Sequence, residues 1–227
     1  MTPPRLGIVT IGQTPRSDVV PDIAEVLGPG VEILERGALD GLDIRAITGL
    51  APGPGDEVLV TRLRGGSAVF VAHHQVVPRV QGCLADLDRA GVTLTALLCT
   101  GEFHGIGAAA PLIMPDRLLL GVLRGLSWAG RLGVLTPSTA HVPRTTARWR
   151  AHGFDPVVAV LSPYEETSPA ALALAAEALA AGEAGVVVLD CMGYRRKTRE
   201  ELRALLGVPV LLPNLLLARV AAELLLP

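Results

Sequence analysis

Cys99 and Cys191 are the residues in this sequence whose chemistry and setting match one another. A thiol takes or delivers a proton at carbon when its thiolate is accessible near neutral pH. Free cysteine, with a pKa of about 8.5, is brought into that range by a helix N-terminus or a nearby cation. Each of the two closes a hydrophobic run and is followed two residues on by glycine: Leu97-Leu98-Cys99-Thr100-Gly101 and Val188-Leu189-Asp190-Cys191-Met192-Gly193. Gly-containing turns of this kind offer backbone N–H groups to a thiolate or to a substrate carboxylate. Two such thiols on opposite faces of one carbon constitute a racemase or epimerase. Cys83, the third cysteine, has helical spacing to Val80 and Leu87 and reads as core.

Other residues near the pair are weighed against plainer roles. Glu102 and His104 follow Cys99 and are placed to tune its pKa or to serve as auxiliary acid/base groups, though a loop histidine is more often simply solvated. Tyr194 caps the site or packs. Arg195 is close enough to Cys191 in sequence to favour its thiolate, and the run Arg195-Arg196-Lys197 otherwise reads as a solvated helix start. His73-His74 invite comparison with a metal site, but adjacent positions rarely face one ion and no carboxylate is close by in sequence, so no metal is expected. Gly105-Ile106-Gly107-Ala108-Ala109-Ala110 matches a dinucleotide fingerprint on paper. Pro111 follows at once and no acidic ribose partner lies about 20 residues on, so the match is read as a decoy. Lys197 is the only lysine. With no lysine in a Schiff-base or phosphate-loop setting, pyridoxal and nucleotide chemistry are not indicated, and no cofactor is expected.

The elements that must hold these residues form an alternating pattern. Strands are predicted at Leu6–Ile11, Val31–Leu34, Val58–Thr61, Ala68–Val71, Leu94–Leu98, Leu132–Leu135, Val157–Val160, Val186–Leu189 and Val208–Leu211. Helices are predicted near Ser17–Leu27, Val77–Ala90, Asp116–Leu126, Thr139–His152, Ala170–Ala181, Thr198–Leu206 and Leu215–Leu225, with Ser17 and Ser168 as N-caps. This is an α/β pattern, of parallel Rossmann-like sheets flanked by helices. The chain also repeats itself: Arg5-Leu6-Gly7-Ile8-Val9-Thr10 returns as Arg131-Leu132-Gly133-Val134-Leu135-Thr136, each followed by a Pro-Arg pair, and the two cysteine segments form a second repeat. Two similar lobes related by a pseudo-twofold axis are expected, one spanning 1–122 with a returning helix at 213–227, the other 123–212. Ligands of open α/β sheets bind outside the carboxyl ends of the strands. Four segments fall on that edge, Thr10–Arg16, Cys99–His104, Thr136–His141 and Cys191–Tyr194, and facing lobes enclose one cleft with them.

Composition narrows the setting. The formal net charge of −2 and 19% charged residues give no polyanion or membrane-surface signal, so neither nucleic acid nor membrane is expected as a partner. Asn214, Arg219 and Glu223 interrupt the last apolar stretch, and the N-terminus shows no secretory apolar core, so a cytoplasmic location is expected. Three cysteines without a CxxC spacing argue against a disulfide framework or structural zinc.

The paired Cys-Thr-Gly and Cys-Met-Gly segments, each ending a strand in one of two similar lobes, resemble the aspartate/glutamate/hydantoin racemase superfamily. More closely, Thr10-Ile11-Gly12-Gln13-Thr14-Pro15-Arg16-Ser17-Asp18-Val19, Leu98-Cys99-Thr100-Gly101-Glu102-Phe103 and Leu189-Asp190-Cys191-Met192-Gly193-Tyr194 resemble the AroM family within it, over nearly the whole chain. The resemblance implies that Cys99 and Cys191 are an acid/base pair acting without a cofactor. It implies that Thr10, Gln13, Thr100 and the Met192 backbone hold a small carboxylate-bearing substrate, with Gly101, Thr136 and Gly193 on the same edge. Arg16 is added as a carboxylate clamp, since guanidinium offers bidentate donors. Racemases of the glutamate type carry an acid after the first strand and a histidine behind the second cysteine. Here Gln13 and Met192-Gly193-Tyr194 stand in those places, which counts against glutamate or aspartate itself as substrate. An isomerase, a decarboxylase needing one cysteine, and a non-catalytic carboxylate-binding protein are the alternatives, and a homodimer fits the scaffold.

Overall fold

The computed structural model describes residues 3–227. The chain divides into two units, one running to Leu118 and joined by Leu217–Pro227, the other Leu119–Leu216. The first contains β1 (Arg5–Thr10), α1 (Val20–Leu27), β2 (Glu32–Gly37), α2 (Ile44–Thr48), β3 (Val58–Arg62), β4 (Ala68–Ala72), α3 (His73–Arg89), β5 (Leu94–Leu98) and β6 (Leu112–Ile113). The chain passes into the second unit within α4 (Pro115–Arg124). There follow β7 (Arg131–Thr136), a short 3-10 turn at Thr139–His141, α5 (Val142–Ala151), β8 (Pro156–Val160), α6 (Pro169–Ala181), β9 (Ala184–Leu189), α7 (Arg196–Leu206) and β10 (Val210–Leu211), and the chain returns within α8 (Pro213–Leu225).

Each unit has a four-stranded parallel sheet, in the order β2-β1-β5-β6 in the first and β8-β7-β9-β10 in the second. The repeat in the sequence is thus a repeat of topology. The Arg-Leu-Gly strands β1 and β7 lie in equivalent places, and both cysteines follow the strand beside them. β1 and β5 are buried along almost their whole length, as are β7 and β9. That burial explains their unbroken apolar runs, since both faces of a helix-covered parallel sheet are apolar. In the first unit Val9, Leu97, Val80, Leu84 and Leu87 share one core; in the second Leu132, Val134, Val186, Val188 and Trp149 share another.

Two expectations are corrected. β3 and β4 belong to neither parallel sheet; they form an antiparallel hairpin, closed by Leu63 N–H on the Ser67 carbonyl at 2.8 Å with Gly66 at φ +95. So short a loop cannot make a parallel crossover. Ser17 is not an N-cap: Arg16 accepts from Val19 and Val20 through its carbonyl, and α1 begins only at Val20. Ser168 does cap α6, its hydroxyl accepting from Ala171 N–H at 3.1 Å. The short α2, capped by the Asp43 carboxylate, and the two-residue β6 are too brief to leave a periodic signal. No helix among the described residues is long and apolar enough to cross a membrane.

Candidate active site

In the first unit Cys99 sits one residue beyond β5, 8% exposed, and its Sγ accepts the Gly101 N–H at 3.4 Å. A backbone donor on a sulfur favours its thiolate over its thiol form. An ideal Cβ on Gly101 would lie 3.2 Å from the Leu59 side chain and 3.4 Å from this same sulfur, so the turn packs closely against both. Thr100 is buried and Glu102 half-buried, its carbonyl taken by His73 Nε2 at 3.0 Å; His104 is exposed.

At the end of β1, the Thr10 Oγ1 accepts from Gly12 N–H at 3.2 Å and from Arg16 Nη1 at 2.8 Å. An oxygen with two bonds accepted can make a further bond only by donating, so Thr10 is fixed as a donor. Arg16, 2% exposed, holds the Asp18 carboxylate through Nε at 2.8 Å and Nη2 at 2.9 Å. Its bidentate fork, expected to clamp a substrate, is therefore closed on a carboxylate of this chain, and what it orients is Thr10. Burial raises the Asp18 pKa, but the hydrogen bond and charge of Arg16, with help from Arg62, outweigh it and hold the carboxyl below its ordinary range. Gln13 is likewise occupied: its Oε1 accepts from Arg64 N–H at 3.0 Å and its amide donates to the Leu39 carbonyl at 3.4 Å. It ties β3, β4 and the segment after β2 to the end of β1. Asp40, not foreseen, receives Thr14 N–H at 2.9 Å, Thr14 Oγ1 at 2.7 Å and Gly37 N–H at 2.8 Å, so it shapes the same turn.

In the second unit Cys191 is 7% exposed and Tyr164 places its hydroxyl 3.4 Å from the Sγ. Tyr164 was missed. It lies in the loop after β8, and the strand-edge rule, applied after β1, β5, β7 and β9, applies there equally. Gly193 is what admits its ring: a Cβ there would stand 2.8 to 3.0 Å from the Tyr164 ring and hydroxyl. Tyr194 packs rather than caps, being 1% exposed with its hydroxyl donating to the Leu161 carbonyl at 2.6 Å. Burial, with the neighbouring Cys191, Asp190 and Tyr164, pushes its phenol well above the usual range. Asn214, fully buried, donates through Nδ2 to the carbonyls of Tyr194 at 2.8 Å and Met192 at 3.4 Å, and so fixes the turn that carries Cys191.

Asp190, just before the cysteine, accepts from Arg148 and from Trp149 Nε1 at 3.3 Å on one oxygen; its other oxygen is buried without a hydrogen-bond partner. Thr136, buried at the end of β7, shares a hydrogen bond with Thr145 at 3.3 Å. His141 is hydrogen-bonded through Nδ1 to Ser138 at 2.8 Å, and burial lowers its pKa despite the opposing Asp190 charge.

The remaining candidates resolve into structural roles. Cys83 is pushed up to about 11 by burial and by Asp40 and Asp86, which leaves it an inert thiol at neutral pH. The Gly105–Ala110 loop leads into no helix, and Asp88 receives the N–H groups of Ala109 and Ala110 at 2.8 and 3.2 Å. A carboxylate thus occupies donors that a phosphate would need. His73 and His74 do have acids beside them, Glu57 at 3.6 Å and Asp56 at 3.4 Å, brought by the segment before β3. Each pairs separately, and among the described residues no three His, Cys, Asp or Glu side chains converge.

Two α/β units of equal strand order, each with a buried cysteine beyond an interior strand, make up a fold shared with solved structures of a decarboxylase, a racemase and an isomerase. An unliganded arylmalonate decarboxylase matches with TM-score 0.62 and 18% identity, over 98% of this chain and 92% of that one. Allantoin racemase from Klebsiella pneumoniae matches with TM-score 0.62 and 15% identity, over 97% and 87%. A maleate isomerase from Pseudomonas putida S16 gives TM-score 0.64 and 13% identity, over 98% and 92%. The family model described as AroM protein matches residues 6–225, and the chain belongs to the AroM family. No curated protein matches by sequence.

Proposed function

We propose that this chain is a cofactor-independent enzyme that moves a proton at the carbon alpha to a carboxylate of a small acid, an amino acid or a derivative, with Cys99 and Cys191 as the acid/base pair. The observation that carries this reading is the repetition, once in each unit, of a buried cysteine beyond an interior parallel strand with a hydrogen-bonding group of its own unit at the sulfur, the Gly101 N–H on Cys99 and the Tyr164 hydroxyl beside Cys191. The fold likeness to two proteins named as a racemase and an isomerase supports it. One thiolate accepts the α-proton and becomes a thiol, and the electron pair passes into the substrate carboxylate as an enolate. The other thiol then delivers its proton to the opposite face and becomes a thiolate. Proton exchange with water, or turnover in the opposite sense, restores the starting state. Thr10, held as a donor, and the backbone N–H groups of the cysteine turns are suited to the enolate oxygens, where developing charge gains most from fixed donors.

Deuterium incorporation from solvent, followed by NMR across amino acids, hydantoins and 2-substituted dicarboxylates, tests the reading. Exchange with inversion should fall by at least about a hundredfold in both Cys99→Ser and Cys191→Ser, the usual weight of a lost acid/base group. Inversion that survives either substitution would sink the two-thiol mechanism. A decarboxylase is the second reading, favoured by the fold likeness to arylmalonate decarboxylase. It needs a single thiol, so carbon dioxide release that persists in Cys99→Ser and stops in Cys191→Ser would select it.

A further inference from the structure

We propose that Tyr164 is a positioning residue for Cys191, its phenolic O–H donating to the sulfur and stabilising the thiolate. The proposal rests on the reading that Cys191 transfers a proton, but the bond itself can be measured without turnover. The oxygen and sulfur are 3.4 Å apart, and the arrangement is built from both sides. Beneath the ring, Gly193 leaves the space that any Cβ would fill, at 2.8 Å from the nearest ring carbon. Behind it, Tyr194 holds the Leu161 carbonyl at 2.6 Å and Tyr164 N–H reaches Ser162 Oγ at 3.3 Å, which anchors the loop between β8 and α6.

The direction of the bond follows from proton affinity. A phenol with pKa about 10 keeps its proton against a thiol near 8.5, and S–H is the weaker donor, so the charge-assisted form is O–H to thiolate. The local charges make that donor consequential. Asp190 precedes Cys191 and opposes a second negative charge; Arg148 is engaged on the Asp190 carboxylate. His141, also within the field of Asp190, is shifted toward its neutral form by burial. Tyr194 cannot substitute for Tyr164, because its hydroxyl proton is committed to Leu161. Tyr164 places its hydroxyl within hydrogen-bond reach of the sulfur from within this unit.

The test is the pH dependence of iodoacetamide alkylation at Cys191, read by mass spectrometry on the Cys191 peptide of the full chain, in wild type and Tyr164→Phe. Phenylalanine keeps the ring and its packing and removes only the hydroxyl. The alkylation midpoint should rise by about one pH unit, the effect expected of one lost charge-assisted bond. Below both midpoints the rate should fall about threefold, a tenfold loss of thiolate offset in part by the greater nucleophilicity of a more basic sulfur. Gly193→Ala, which drives the ring off the turn, should raise the midpoint in the same sense. A midpoint that stays or falls in Tyr164→Phe overturns the proposal. A raised midpoint with no acid exchanging deuterium keeps the bond and removes the proton-transfer reading; exchange with an unmoved midpoint does the reverse.

Discussion

Arg16 reaches the interior only because Asp18 goes with it. A guanidinium buried alone is prohibitively costly, and the two bonds from Asp18 together with the Thr10 hydroxyl supply the compensation. Replacing Asp18 by Asn keeps the shape and removes the charge, so Asp18→Asn should lower the unfolding free energy by about 3–5 kcal/mol, read by urea titration. A loss below about 1 kcal/mol would mean that the pair behaves like an exposed salt bridge. The sign with pH is fixed by the depressed carboxyl. Its stabilisation is full above the unfolded value near 3.9 and is lost as pH falls through the lower folded value. The same pair limits what sequence can reveal of a site. Residue type suggested Arg16 as a substrate clamp, but nothing in Pro15-Arg16-Ser17-Asp18 says that the acid two residues on turns back to occupy it.

At the scale of elements, the repeated Arg-Leu-Gly has a packing cause. Glycine at the third position of β1 and of β7 lets a neighbour come against the strand backbone. A Cβ on Gly7 would meet Leu87 of α3 at 2.9 Å, and one on Gly133 would meet Val187 of β9 at 2.8 Å and Leu179 of α6 at 3.3 Å. Gly7→Ala and Gly133→Ala should each cost about 1–3 kcal/mol by overpacking, without altering the alkylation behaviour of the cysteine in the same unit. Wild-type denaturation midpoints in both would refute this account of the repeat. Such repeats, with the runs of β-branched and leucine residues, made the parallel strands and the two cysteine positions legible. The β3–β4 hairpin escaped because its apolar runs look like parallel-sheet strands, and only the five-residue link between Arg62 and Ala68 distinguishes it. Tyr164 escaped for a related reason. Its contact with Cys191 spans 27 residues and depends on an absent Cβ at Gly193, which no local pattern records.

At the scale of the whole molecule, acid should act through His141 long before it reaches Asp18. Burial favours the neutral imidazole over the charged one, and the Asp190 carboxylate offsets this only in part, so the folded pKa lies below 6.5. The unfolded chain therefore takes up the proton first. The stabilisation from keeping His141 neutral is full above the unfolded value of about 6.5 and is lost as pH falls through the folded value. Both tryptophans, Trp128 and Trp149, lie in the Leu119–Leu216 unit, so indole emission during urea denaturation follows the unit that holds His141. The emission midpoint of wild type should decline between about pH 7 and pH 5. His141→Gln, which retains a polar side chain near Ser138 and cannot take up a proton, should flatten that decline. Asp190→Asn should steepen it, because removing the carboxylate takes away a charge that favours protonated His141. A decline that persists unchanged in His141→Gln would assign the acid response to another group and remove His141 from the account.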